Sequence, residues 1–205
     1  WADGRLNRVF AAKLGGDGMV KTATLLSGDI AGDIPSKPFG DLSDFAWSAD
    51  GKQVAMSVRQ ANREEPWNTN FDLWLVNADG SGARNLTASN PAWDAGPVFS
   101  ADGKTLYYRA MARPGFEADR FALMAMDLAS GKTREIASKW DASADGITKA
   151  TAATDIYTLS VHVAPPLAAH APAPRALEMV RILVQGHEAV ARTARALFPQ
   201  ADAAG

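Results

Sequence analysis

The sequence contains no cysteine. That excludes a disulfide framework, a thiol nucleophile and any thiolate-bound metal. The lack suits an oxidising compartment, so a periplasmic or secreted location is favoured over a cytoplasmic one while the compartment stays unknown. Histidine is scarce, with only His162, His170 and His187. No apolar run reaches membrane-spanning length, which gives no reason to expect a membrane. Charge of one sign is also missing. A net charge of -2 offers no electrostatic basis for nucleic-acid binding. The chain has no initiator Met and no signal peptide, and its opening at Trp1 reads as a mature or internal start. At 205 residues and 47% hydrophobic content, it can bury a core in one or two domains.

What the sequence does have is an internal repeat. Phe45-Ala46-Trp47-Ser48-Ala49-Asp50-Gly51-Lys52-Gln53-Val54-Ala55 is answered by Val98-Phe99-Ser100-Ala101-Asp102-Gly103-Lys104-Thr105-Leu106-Tyr107-Tyr108, with Ser48 and Ser100 offset by 52 positions. Each copy predicts strand, tight turn, strand. The Asp side chain can bond the backbone two residues on, and Gly supplies the positive φ that closes the hairpin. A second element, Phe71 to Thr87, matches Phe121 to Ala137 at an offset of 50. Strand–turn–strand occurring twice per period of about 50 residues describes a four-stranded propeller blade. The predicted fold is therefore mainly β: a partial β-propeller of four-stranded antiparallel blades.

Taken in order, residues 1–26 predict the last two strands of an earlier blade, and Ser27 to Ser43 a crossover loop. Full blades run from about Asp44 to Thr87 and from about Asp94 to Ala137. Asp141 to Thr148 and Ile156 to Val163 read as the entry to a third, with the pattern weak after Ile147. The propeller region is thus 1–163, about two and a half blades. Residues 164–176 form an Ala/Pro linker whose four prolines favour extended polyproline geometry. Residues 177–205 read as a helical tail, with one amphipathic helix predicted from Glu178 to Phe198: Met179, Leu183, Val190, Ala194 and Leu197 fall at helical spacing and Glu188–Arg192 is an i,i+4 pair. Phe198-Pro199 ends it.

Each blade carries a charged and aromatic insertion between its second and third strands: Arg59 to Asn70, and Met111 to Arg120. Loops held on a rigid sheet are where binding residues concentrate. The two repeats, together with Glu65-Pro66-Trp67-Asn68-Thr69-Asn70-Phe71-Asp72-Leu73 and Ala112-Arg113-Pro114-Gly115-Phe116-Glu117-Ala118-Asp119-Arg120, resemble the N-terminal propeller of prolyl oligopeptidase family serine peptidases. The dipeptidyl or acylaminoacyl peptidase branch is the most similar, over roughly residues 1–147. The resemblance implies a propeller that gates or anchors peptide substrates beside an α/β-hydrolase domain. The sequence has no Gly-x-Ser-x-Gly nucleophile elbow, and none of its histidines resembles a triad base. No catalytic residue, metal ligand or cofactor is therefore expected, and the chain alone is expected to be inactive. The resemblance also implies that acidic propeller residues can hold a substrate's α-amino group. Glu64 and Glu65 are the candidate pair, and Arg113, Glu117 and Arg120 are candidate pocket groups. A plain Arg–Glu salt bridge is the structural alternative for the last three.

Residues 178–205 resemble a late helix of the mini-ferritin DNA-protection proteins, which implies a weaker alternative of iron storage or DNA protection. The iron-binding helices of that family have no counterpart here, and His187-Glu188 at i,i+1 share no helix face. The other reading is a non-enzymatic TolB-like propeller that scaffolds protein contacts. A closed propeller needs at least four blades, and open blades expose strand edges. The pattern is therefore read as part of a longer chain, as a unit closing by oligomerisation, or as two joined sequences.

Overall fold

The computed structural model describes residues 5–28, 30–36, 40–60, 67–139, 141–149 and 157–162. The linker at 164–176 and the helical tail at 177–205 lie outside the described residues.

Two antiparallel sheets form the centre. In the first, β4 (Phe45–Trp47), β5 (Gln53–Gln60), β6 (Phe71–Asn77) and β7 (Arg84–Asn85) pair in sequence order. In the second, β8 (Asp94–Phe99), β9 (Thr105–Ala110), β10 (Ala122–Asp127) and β11 (Thr133–Ile136) do the same. Each is a four-stranded meander, as the repeat predicted. Before them lies a hairpin, β1 (Phe10–Leu14) with β2 (Val20–Leu25), and after them another, β12 (Ser143–Lys149) with β13 (Tyr157–His162). The architecture is a partial β-propeller.

The two Ser-Ala-Asp-Gly-Lys turns are built alike. Ser48 Oγ donates to Asp50 Oδ1 at 2.7 Å, and Ser100 Oγ donates to Asp102 Oδ1 at 2.6 Å. The same carboxylates accept from the N–H of Lys52 at 3.1 Å and of Lys104 at 3.0 Å. Each serine oxygen then accepts from the first residue of the next strand, Gln53 or Thr105, at 2.9 Å. Gly51 (φ 69°) and Gly103 (φ 70°) occupy the left-handed positions. The side chains thus supply the partners that the turn removes from the backbone ladder.

Strand alternation sorts the core into layers between sheets. Val54, Met56, Val58 and Val76 pack against Leu26, Ile30 and Ile34 on one side. On the other, Ala55, Leu73 and Leu75 meet Phe99, Leu106, Tyr108 and Met126 of the second blade. The second blade's far face meets the last hairpin through Phe121, Leu123 and Ala144. Sheets therefore stack face to face, as propeller blades do.

One strand was not foreseen. Gly32–Asp33 (β3), inside the predicted crossover loop, pairs with Gln60 and Arg59 at the end of β5. β4 spans only three residues against eight in β5, so the end of β5 would otherwise lack a partner. Gly32 permits the approach, because a Cβ there would lie 2.6 Å from the Arg59 carbonyl oxygen.

Candidate functional site

The long loops of both blades rise at the same end. Their bases are riveted by aromatic rings. Phe71 stacks on Trp93 at 4.5 Å between centroids, and Phe121 meets the same indole edge-on at 5.5 Å. An arginine at the end of the second strand caps each phenylalanine: Arg59 lies 5.7 Å from the Phe71 centroid and Arg109 4.8 Å from that of Phe121. Arg109 also donates to the carbonyls of Ala144 and Asp145. Burial lowers its pKa, an effect that Asp145, Asp44 and Asp41 oppose. Asp44 in turn is pushed up to about 6 by burial and by the neighbouring Asp41.

From this base the second loop folds around one carboxylate. Asp119 Oδ2 accepts from the N–H of Ala112 at 2.9 Å and of Arg113 at 2.8 Å, while Oδ1 accepts from Arg113 Nε at 2.8 Å. Burial opposes ionisation of Asp119, but the bonds from Arg113 and from backbone N–H groups outweigh it and hold the carboxyl well below the usual range. The Arg113 guanidinium lies 4.1 Å over the Phe116 ring. Gly115 N–H then donates to Thr69 Oγ1 of the first loop at 3.0 Å. The two loops are thereby tied together, with Trp67 (74% exposed) and Phe116 (43% exposed) offered to solvent.

Beneath the loops, between the complete blades, lies a crevice of about 710 Å³. Its walls are the face of β8 to β11 turned toward the first blade, the loop at 111–120 and residues 86–90 that follow β7. Arg113, Arg120, Asp119, Glu135, Asp94 and Tyr108 all line it. Arg120 pairs with Glu135 at 2.8 Å, and Arg113 with Asp119 at 2.8 Å. Burial, then the nearby Asp94, raises the Tyr108 hydroxyl well above its ordinary value.

Of the sequence candidates, Arg113 and Arg120 come together on this crevice, each held by an acidic partner. Glu117 is exposed and does not line the cavity. Glu64 and Glu65 lie outside the described residues. Three acidic members of the site were not singled out from sequence. Asp119 and Glu135 could have been paired with the two arginines by charge. Asp94 carried no such signal. Among the described residues no three His, Cys, Asp or Glu side chains are grouped to share a metal ion, and no helix is long and apolar enough to cross a membrane.

Comparison with known proteins gives this geometry a context. The chain is 31% identical over 145 residues to a dipeptidyl-peptidase 5 from Porphyromonas gingivalis, an alignment covering 70% of this chain and 21% of that protein. It is 38% identical over 120 residues to a probable dipeptidyl-peptidase 5 from Emericella nidulans, covering 55% of this chain and 17% of the relative. The chain is similar to the propeller-type portion of such peptidases. It spans about a fifth of the length of the curated relatives it matches. Among solved structures, TolB from Acinetobacter baumannii aligns with a TM-score of 0.42 and 10% identity, covering 68% of this chain and 32% of that one. No family model matches the sequence. The resemblance of residues 178–205 to mini-ferritins finds no support in these comparisons.

Proposed function

We propose that this chain is the non-catalytic, substrate-gating propeller portion of a serine peptidase of the prolyl oligopeptidase family, of dipeptidyl-peptidase type. The observation that carries the reading is the similarity over 145 residues to a dipeptidyl-peptidase 5. The loop end of the blades supports it. Arg113 is a cation with 63% of its side chain exposed, fixed in place by Asp119 and set over the face of Phe116. A cation beside an aromatic ring can hold a peptide carbonyl or carboxylate while the ring covers an apolar side chain. Glu64 and Glu65, on the first loop, are proposed to hold the substrate's α-ammonium, because two adjacent carboxylates can bracket one positive charge. Arg120 braces the loop through Glu135, and Glu117 lies on its rim.

The chemistry falls to a serine outside this sequence. Labelling of the protein from its source with a fluorophosphonate, followed by peptide mapping, tests this. The expected result is a labelled serine within Gly-x-Ser-x-Gly on the same polypeptide as residues 1–147, with dipeptides released from substrate N-termini. A source protein whose residues 1–147 belong to no fluorophosphonate-reactive polypeptide would overturn it.

A further inference from the structure

The crevice between the two complete blades contains one carboxylate that its surroundings do not balance. Asp94 is 1% exposed and lines the cavity. Its Oδ1 accepts from Asn90 Nδ2 at 3.0 Å, while Oδ2 has no hydrogen-bond partner. The Thr87 hydroxyl accepts from the Leu73 N–H at 2.9 Å. Its proximity favours the charged carboxylate, yet it makes no hydrogen bond to Oδ2. The other charges around the cavity cancel in pairs, Arg113 with Asp119 and Arg120 with Glu135. Asp72, from β6, adds a second negative field at Asp94. With Asp94 ionised, the charged side chains lining the crevice leave one negative charge over, that of Asp94. The remaining wall is mixed: Met111, Ala122, Met124 and Met126 supply an apolar strip beside the polar Ser89, Asn90 and Thr133.

We propose that this crevice binds a ligand bearing an aliphatic primary ammonium, with Asp94 as its counter-ion and the methionines around its carbon stem. A single free oxygen suits a point-charge ammonium, whereas a guanidinium is best met by two parallel acceptors. Methionine side chains are unbranched and adapt to a flexible stem. The inference stands on this cavity alone and does not rest on the peptidase reading.

The test is a methyl NMR titration of the 205-residue chain above the pKa of Asp94. The probes are Nα-acetyl-lysine methylamide, its uncharged norleucine counterpart and its arginine counterpart. The lysine probe is expected to shift the methyls of Met111, Met124 and Met126 saturably, leaving Met56 of the opposite core unmoved. Asp94→Asn is expected to weaken that binding by about tenfold or more. Thr133→Trp, at an exposed position on the crevice wall, is expected to do the same without touching the core. Equal shifts from the norleucine or the arginine probe would overturn the proposal. So would wild-type lysine binding in either variant, and Thr133→Trp keeps the test decisive if Asp94→Asn fails to fold. Hydrolysis is read nowhere in this experiment, so its outcome leaves the peptidase reading untouched.

Discussion

Asp94 is buried with one carboxylate oxygen lacking a hydrogen-bond partner, and its pKa is pushed up to about 7, first by burial and further by Asp72. The folded state therefore holds this proton more tightly than the unfolded chain, where the value is near 3.8. The sign follows. Stability is greatest at acid pH and falls as pH rises through the folded value, because the folded protein must then bury an uncompensated charge. Asp44, raised to about 6, adds a smaller loss in the same direction. Asp94→Asn should remove the larger part. Measured by urea denaturation, the variant gains on wild type as pH rises from about 4 to about 7, by up to about 4 kcal/mol in all, and the gain is level above that. A stability difference that stays constant across that range would contradict the assignment. Asp94 was also the residue least legible in the sequence. Counting back from Phe99 by strict alternation places Asp94 on the opposite face. A bulge at Gly96-Pro97, where Gly96 takes φ 62°, shifts the register between Ala95 and Val98 and turns Asp94 onto the same face as Phe99.

At the scale of the element, the hairpin turns were the most legible feature, because each link in them is local. Asp50 and Asp102 bond the residue two further on, and Gly51 and Gly103 hold the positive φ, as the spelling of the repeat requires. Ser100→Ala removes the acceptor for the Thr105 N–H and should cost about 1 kcal/mol. Gly103→Ala, forced into the left-handed region, should cost about 1–2 kcal/mol. Chemical denaturation checks both, and the matched changes at Ser48 and Gly51 should behave alike because the networks are the same. β3 was not legible, since two residues, Gly32 and Asp33, carry no periodicity. The aromatic rivet was half legible. Phe71 and Phe121 stood at equivalent repeat positions, but Trp93 comes from the link between blades and only the fold inserts it between them. Trp93→Ala should lower stability by about 3 kcal/mol and loosen the two loops together, seen as faster amide exchange at both Thr69 and Gly115.

For the whole molecule, stacked sheets account for the stability, and the tied loops carry the proposed function. Buried residues such as Leu73 and Leu75 belong to the layer between blades, so the core of one blade is incomplete without its neighbour. The crevice is walled by the second blade and by residues 86–90, which link it to the first. The repeat period announced it only in outline: the count of strands was legible, but the way residues 86–90 and the 111–120 loop wall a cavity was not. On the proposed reading, this end of the blades holds peptide and the cleavage falls to a serine elsewhere in the polypeptide. The most direct measurement is hydrogen exchange of the chain with and without a short peptide bearing a free N-terminus, followed by mass analysis of that peptide. Protection is expected to be confined to the insertions at 59–70 and 111–120, with the peptide recovered intact. Cleavage of the peptide, or exchange unchanged at both loops, would contradict it.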